Sequence, residues 1–221
     1  MKVCDQAMLD CRQCPRLAGF LQSIRAKHPG YHARPVIPFG DAVPKLLIVG
    51  LAPGMHGANR TGRPFTGDHA GILLYRTLHR FGFATHSESI SAEDGLQLIG
   101  CRITNAVKCL PPENKPAPQE IKQCNQYLIA EMEQFVEAGG IAILALGNVA
   151  HQAVLMSLRL KLKQYPFAHG AIHSLSPQHT MQLYDSYHCS RYNTQTKRLT
   201  VAMFEQVVAQ IATDIQSRSH P

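Results

Sequence analysis

Two stretches of the chain, residues 46–49 and 141–146, are apolar without a break, and each closes on a glycine, Gly50 and Gly147. Runs this short, with no polar alternation, are the pattern of parallel strands buried on both faces. Residues 103–107 predict a third strand, leading into Cys109 and a proline-rich loop, and residues 173–187 read as β-rich and loop-like. Between these runs the apolar positions take up helical spacing. Ile72, Leu73, Leu74, Leu78 and Phe81 share one face of a helix over about residues 70–81. Ile121, Cys124, Leu128 and Met132 do the same in a helix starting near Pro118, a residue suited to the first helical position, with Glu120 in its first turn. Further helices are expected within the first ten residues, from Pro15 to about residue 27, from about residue 149, and over about residues 199–215. Residues 28–44, rich in Pro, Gly and His, predict an irregular connection.

Strands alternating with helices predict an α/β fold, a three-layer α/β/α sandwich with a mostly parallel central sheet. One domain is expected to span residues 1–221, with the N-terminal cysteine element included. Ligands in such folds gather beyond the carboxyl ends of the strands. That directs attention to the loops after Gly50, after residues 103–107 and after Tyr187.

Composition narrows the partners. The 221 residues carry a formal charge of +7 and no Trp. A basic balance suits a polyanion, because Lys and Arg replace the counterions condensed on a phosphate backbone. No apolar run reaches the length of a membrane span, and Asp5 and Asp10 interrupt any secretory leader. The expected setting is a reducing cytoplasm, where seven cysteines are ligands and bystanders rather than a disulfide framework.

Cys11 and Cys14 form a Cys-x-x-Cys pair, while Cys109 and Cys124 lie far downstream with 14 residues between them. Four thiolates hold either a tetrahedral zinc or a four-iron cluster. Structural zinc is the commoner use, and the wide second pair is unlike a zinc ribbon, so spacing leaves both metals open. Either would be structural, tying the N-terminal element to the segment around residues 109–124. Cys4, Cys101 and Cys189 read as bystanders.

The segment from Gly50 to Asp68 carries five glycines and two prolines. It lacks the Gly-Lys-Ser/Thr of a phosphate-binding loop and the Gly-x-Gly-x-x-Gly of a dinucleotide site. Its glycines allow close backbone approach, Arg60 and Arg63 suit phosphate, Phe65 offers an aromatic face, and Asp68 offers a carboxylate. The plainer reading of Asp68 is a cap on the following helix, a position that Asp favours.

Gly50-Leu-Ala-Pro-Gly54, the following Arg-Pro-Phe-Thr-Gly-Asp68, Ile103-Thr-Asn-Ala-Val-Lys-Cys109 and the two cysteine pairs resemble, in order, the uracil-DNA glycosylase superfamily. The cysteines resemble those of its iron–sulfur members, which implies a structural [4Fe-4S] cluster on Cys11, Cys14, Cys109 and Cys124. Leu51 and Ala52 stand where the family 4 and family 1 branches have acidic residues, and this apolar motif is similar to the type B branch, family 5. The resemblance implies a glycosylase that removes uracil, and further deaminated bases such as hypoxanthine and xanthine, from DNA to leave an abasic site. The implied setting is a monomer in the cytoplasm, associated with the nucleoid through its DNA.

Breaking an N-glycosidic bond builds positive charge on the sugar and negative charge on the departing base. A carboxylate stabilises the first and preorganised donors the second, once the base has left its stack. The resemblance implies Asp68 as the carboxylate, and Asn105 and His188 on the base. Phe65 would stack on that base, with the Gly50 backbone alongside. Arg60, Arg63, Ser190 and Arg191 would hold DNA backbone, and His56 is a secondary contact to base or water. Cys189 stands where relatives show proline. Two other readings remain open at this point: an iron–sulfur nucleic-acid-binding protein without catalysis, and a zinc-stabilised phosphate-binding protein.

Overall fold

The computed structural model describes residues 3–175 and 181–219, with side chains from Gln6 to Arg218 within them. The expected β-rich stretch therefore lies in part, at residues 176–180, outside the described residues, as does the side chain of Cys4. The six strands are β1 (Phe39–Gly40), β2 (Leu46–Gly50), β3 (Cys101–Asn105), β4 (Ala142–Leu146), β5 (Ile172–Ser174) and β6 (Gln182–Ser186), in the order β1-β3-β2-β4-β6-β5. β2 pairs in parallel with β3 and β4, and β4 with β6, while β1 and β5 add antiparallel edges.

Both faces of this sheet are covered, which is why its central strands are apolar throughout. Leu46, Ile48, Ile103, Leu144 and Tyr184 point to one face. There they meet Leu74 and Leu78 of α4 (His69–Arg80) and Phe204 and Val208 of α8 (Val201–Ser219). The alternate residues Leu47, Val49, Ile143 and Leu183 meet Leu128 and Met132 of α5 (Pro118–Glu137) and Val154 of α6 (Asn148–Ser157). The expected α/β/α layering results. Among the described residues no helix is long and apolar enough to cross a membrane.

Two elements precede the sheet, α1 (Val3–Leu9) and α2 (Pro15–Lys27), the second with proline in its first turn. Arg16 of α2 ties to Glu120 at the start of α5, with Nε–Oε1 2.8 Å and a guanidinium–Oε2 contact of 2.6 Å. Glu120 also accepts from Ala117 N–H at 2.7 Å, closing the first turn of α5.

The structure shifts some expected boundaries. β3 begins and ends two residues before the predicted strand. Beyond it, Ala106 and Val107 stay buried, donating N–H to the carbonyls of Gly50 and Leu51 at 2.9 and 3.0 Å. The connection read as irregular contains β1, and the glycine-rich loop contains one helical turn, α3 (Ala58–Thr61).

Candidate functional site

The loops after β2, β3 and β6 leave the same end of the sheet and enclose a solvent-open cleft of about 410 Å³, lined by Phe65, Asp68, His69, Asn105, Asn114, His188, Ser190 and Arg191 among others. That size lies within the range of pockets that hold small molecules. Six residues singled out in the sequence, Phe65, Asp68, Asn105, His188, Ser190 and Arg191, thus converge from three separate segments.

Asp68 serves twice. Its Oδ1 accepts from Gly71 N–H at 2.8 Å as the N-cap of α4, so the capping reading holds. The same side chain also lines the cleft. Burial raises its carboxyl above the usual carboxylate range, and the N–H groups of Gly71 and Ala70 pull against that rise. A Cβ on Gly57 would come within 2.6 Å of Asp68 Oδ2, so only glycine leaves room for this carboxylate.

Asn105 ends β3 and is 3% exposed, and its Oδ1 is buried without a hydrogen-bond partner. A buried acceptor left unpaired costs about 1–3 kcal/mol, and such a group is expected where a ligand supplies the missing bond. A Cβ on Gly50 would collide with Asn105 Oδ1 and stand 2.6 Å from Phe65 Cζ, so the glycine that ends β2 makes space for both. Below Asn105 lies Lys108, 1% exposed, whose Nζ donates to Asn105 O at 2.8 Å, Thr104 Oγ1 at 2.6 Å and Glu131 Oε2 at 2.9 Å.

Phe65 sits at φ 53°, left-handed backbone that is costly for an aromatic residue. The strain is held in place by its neighbours. Tyr75 Oη donates to Pro64 O at 2.8 Å, and Gly71 lets the Phe65 carbonyl lie where a Cβ would otherwise be. The ring stacks on His188, with centroids 5.9 Å apart at 30°. Burial pulls the His188 pKa down to about 4, so its imidazole is neutral near pH 7. The His188 carbonyl accepts from Asn193 Nδ2 at 2.9 Å, and Ser190 Oγ accepts from Asn193 N–H at 3.3 Å as the cap of α7 (Arg191–Gln195). These bonds fix the loop without the stiffening a proline would give at Cys189, which is fully buried beneath it.

The arginines divide. Arg191 is exposed and shared by the main cleft and an adjoining pocket that Arg60 also lines. Arg63 does not fit its expected contact with DNA backbone. It is 4% exposed, paired with Asp94 at 2.5 Å, bonded to Thr66 Oγ1 at 2.9 Å and Ser89 Oγ at 2.6 Å, and stacked on Phe39 at 4.8 Å. Its charge is spent inside the protein. His56 is also displaced: its Nδ1 meets Tyr31 Oη at 2.8 Å in an aromatic cluster with His28, and it is not among the residues lining the cleft.

Cys11, Cys14, Cys109 and Cys124 line one cavity between the N-terminal element, α2 and α5, together with Lys108 and Tyr127. Lys108 N–H donates to Cys124 Sγ at 3.3 Å, the contact a thiolate ligand accepts. Four thiols converging on one cavity are a donor set that a four-iron cluster or a zinc ion would use. Cys101 and Cys189 are fully buried elsewhere, as bystanders.

The family model for the uracil DNA glycosylase superfamily matches residues 37–212. The chain belongs to that superfamily. Among its relatives in the superfamily are proteins named type-5 uracil-DNA glycosylase. That of Thermus thermophilus is 42% identical over 92% of this chain and 93% of the relative. Those of Pyrobaculum aerophilum and Mycobacterium leprae are 36% and 42% identical, over 94% and 89% of this chain and 90% and 88% of their own lengths. A type-4 uracil-DNA glycosylase from Thermotoga maritima matches 44% of the chain. In this superfamily member, sequence reasoning passes over one residue that lines the cleft and one that supports it from beneath. Asn114 reaches it from a proline-rich turn at φ 55°, a conformation that Asn tolerates better than most. Lys108 figures in the sequence only as part of a motif, and its buried position under Asn105 has no local signature.

Proposed function

We propose that this chain is a type-5 uracil-DNA glycosylase that hydrolyses the N-glycosidic bond of uracil in DNA and leaves an abasic site. It would accept further deaminated bases, hypoxanthine and xanthine among them. The observation that carries this reading is the convergence of Asp68, Asn105, Phe65 and His188 on one cleft, with Asn105 Oδ1 buried and unpaired. A protein that only bound nucleic acid would have no need of a buried carboxylate in one cleft with a ring-stacked, neutral histidine.

In this scheme the extruded base lies against Phe65, and the Asn105 amide bonds its edge, satisfying the orphaned oxygen. Asn114 adds a second amide at the lip of the cleft. As the bond breaks, Asp68 stabilises positive charge on the sugar and orients the attacking water. Oδ1 meanwhile holds the start of the helix by accepting from Gly71 N–H. His188, neutral, donates N–H to the base oxygen on which negative charge collects, in the manner of preorganised donors that contribute several kcal/mol. Arg60, Ser190 and Arg191 would hold the backbone. Tyr192, beside Arg191 and 69% exposed, would fill the gap in the stack. A pocket built from amides and ring stacking, with no acid from the first motif, supports acceptance of several bases.

Cys11, Cys14, Cys109 and Cys124 would hold a [4Fe-4S] cluster, which supplies structural cross-linking and no step at the scissile bond. Burial pushes the Cys124 thiol up to about 11 and the Cys109 thiol higher still, so uncoordinated they would be neutral thiols. The protein would act as a single-domain monomer on chromosomal DNA in the cytoplasm.

The test is release of base from oligonucleotides containing uracil, hypoxanthine or xanthine by protein carrying four irons and four sulfides per chain. Release of uracil supports the core reading, and release of the two purines supports the broader one. Cluster-loaded protein that binds each oligonucleotide but leaves every base in place would overturn it.

A further inference from the structure

A second polar cluster lies on the α5/α6 side of the sheet, apart from both the cleft and the cysteines. Asp185 on β6 is wholly buried. Its Oδ1 lies 2.8 Å from His151 Nδ1 of α6, and its Oδ2 lies 3.1 Å from His173 Nε2 of β5. One donor atom from each residue falls within 4.8 Å of the others, and this is the one such trio of His, Cys, Asp or Glu among the described residues.

The tautomer of His151 makes the cluster informative. Its Nε2 stands 2.8 Å from the Tyr165 carbonyl, which only accepts, so the ring proton belongs on Nε2. That leaves the Nδ1 lone pair aimed at a buried carboxylate oxygen. Two acceptors so placed repel each other unless something positive lies between them, either a second proton or a metal ion. His173 Nε2 converges on the other oxygen of the same carboxylate from another strand, so two imidazole nitrogens and a carboxylate meet at one point.

We propose that His151, His173 and Asp185 form a binding site for a divalent metal ion of the zinc class. Two imidazoles and one carboxylate make a borderline-soft N/O set, with a fourth position open to water. A backbone carbonyl taking the far N–H of a ligating histidine is the usual outer support of such sites. In a tetrahedral site with bonds of about 2.0–2.1 Å, neighbouring donors stand roughly 3.3 Å apart. The contacts of 2.8 and 3.1 Å thus need to open only slightly. Tyr165 and Phe167 pack edge-on against the two imidazoles and exclude bulk water. The His173 side chain remains 12% exposed and offers a route inward. The bound ion joins α6, β5 and β6, and so braces the strand whose next loop carries His188.

Zinc is added to chelator-treated protein that already holds its full complement of iron, so the cysteines are occupied. Metal content after desalting and the melting temperature are then measured. One zinc per chain, a raised melting temperature and an anomalous scattering peak between the three side chains at the zinc edge are expected. His173→Ala, with iron content unchanged as the check on folding, should weaken zinc binding by roughly tenfold or more. No retained zinc in the wild-type protein, or equal zinc in the variant, would show that protons alone hold this carboxylate. The result is independent of glycosylase activity, so either conclusion can fail without the other.

Discussion

Asp68 carries two roles that separate by substitution. As the cap of α4 it accepts from Gly71 N–H at 2.8 Å, and replacing a capping Asp by Ala costs about 0.5–2 kcal/mol. Asn caps nearly as well as Asp. It loses the favourable charge at the helix N-terminus, about 0.3–1 kcal/mol, but also relieves the desolvation that raises this carboxyl. Asp68→Asn should therefore change unfolding free energy by less than about 1 kcal/mol, while Asp68→Ala loses the cap. Catalysis should rank them differently. If the charge stabilises the sugar cation, both variants lose a comparable factor, roughly 10²–10³ in single-turnover rate, the scale of one removed electrostatic group. The assay pairs urea unfolding with uracil release at saturating enzyme, and DNA affinity is measured separately by anisotropy. An Asp68→Asn variant with near wild-type rate would refute the reasoning, since the cap alone would then account for the residue. A rate loss that merely tracked stability across the two variants would have the same effect.

Gly50→Ala should lower stability by about 1–3 kcal/mol through overpacking and depress the excision rate, because its Cβ strikes Asn105 Oδ1 and Phe65; a rate unchanged under conditions where the variant is folded would show that these two side chains need no exact placement. Arg63→Ala should destabilise by about 3 kcal/mol or more, leaving Asp94 without its partner, and should leave the salt dependence of DNA binding unaltered. Arg191→Ala should do the reverse, reducing the log–log salt slope by about 1 with little change in unfolding. For His188 the folded pKa of about 4 lies below the ordinary value of 6.5, so the unfolded chain takes up the proton first. Its contribution to stability is complete above pH 6.5 and is lost as pH falls toward 4. Between pH 7 and 5, wild-type protein should lose at most about 2 kcal/mol more than His188→Asn in urea unfolding. Equal losses would place His188 in a more hydrated setting.

How far the chain can be read in advance follows from where each signal resides. β2 and β4 are plain because burial on both faces removes polar alternation altogether. β3 is displaced because Thr104 and Asn105 are polar inside a buried strand, while Ala106 and Val107 are apolar just beyond it. β1 is two residues long and owes its existence to pairing with β3, so no local pattern announces it. At the site, Asp68, Asn105, Phe65 and His188 stand out through ordered motifs, and the fold brings them together. Arg63 misleads because its partner Asp94 lies 31 residues away, and nothing in the motif reveals that an acid will meet it. The aspartate–histidine trio is invisible for a similar reason, since its members come from α6, β5 and β6.

The order of strands in the sheet also sets when the site can exist. Asp68 and Asn105 flank β2 and β3, yet His188 follows β6, about 120 residues after Asp68. At about 5–20 residues per second, a ribosome takes on the order of ten seconds to cover that distance. Until β6 has emerged and joined β4, the growing chain holds half a cleft and no ring beside Phe65. Synthesis itself therefore delays catalysis: a partly made chain can present its arginines to the polyanion, but it has no closed pocket from which a base could be released.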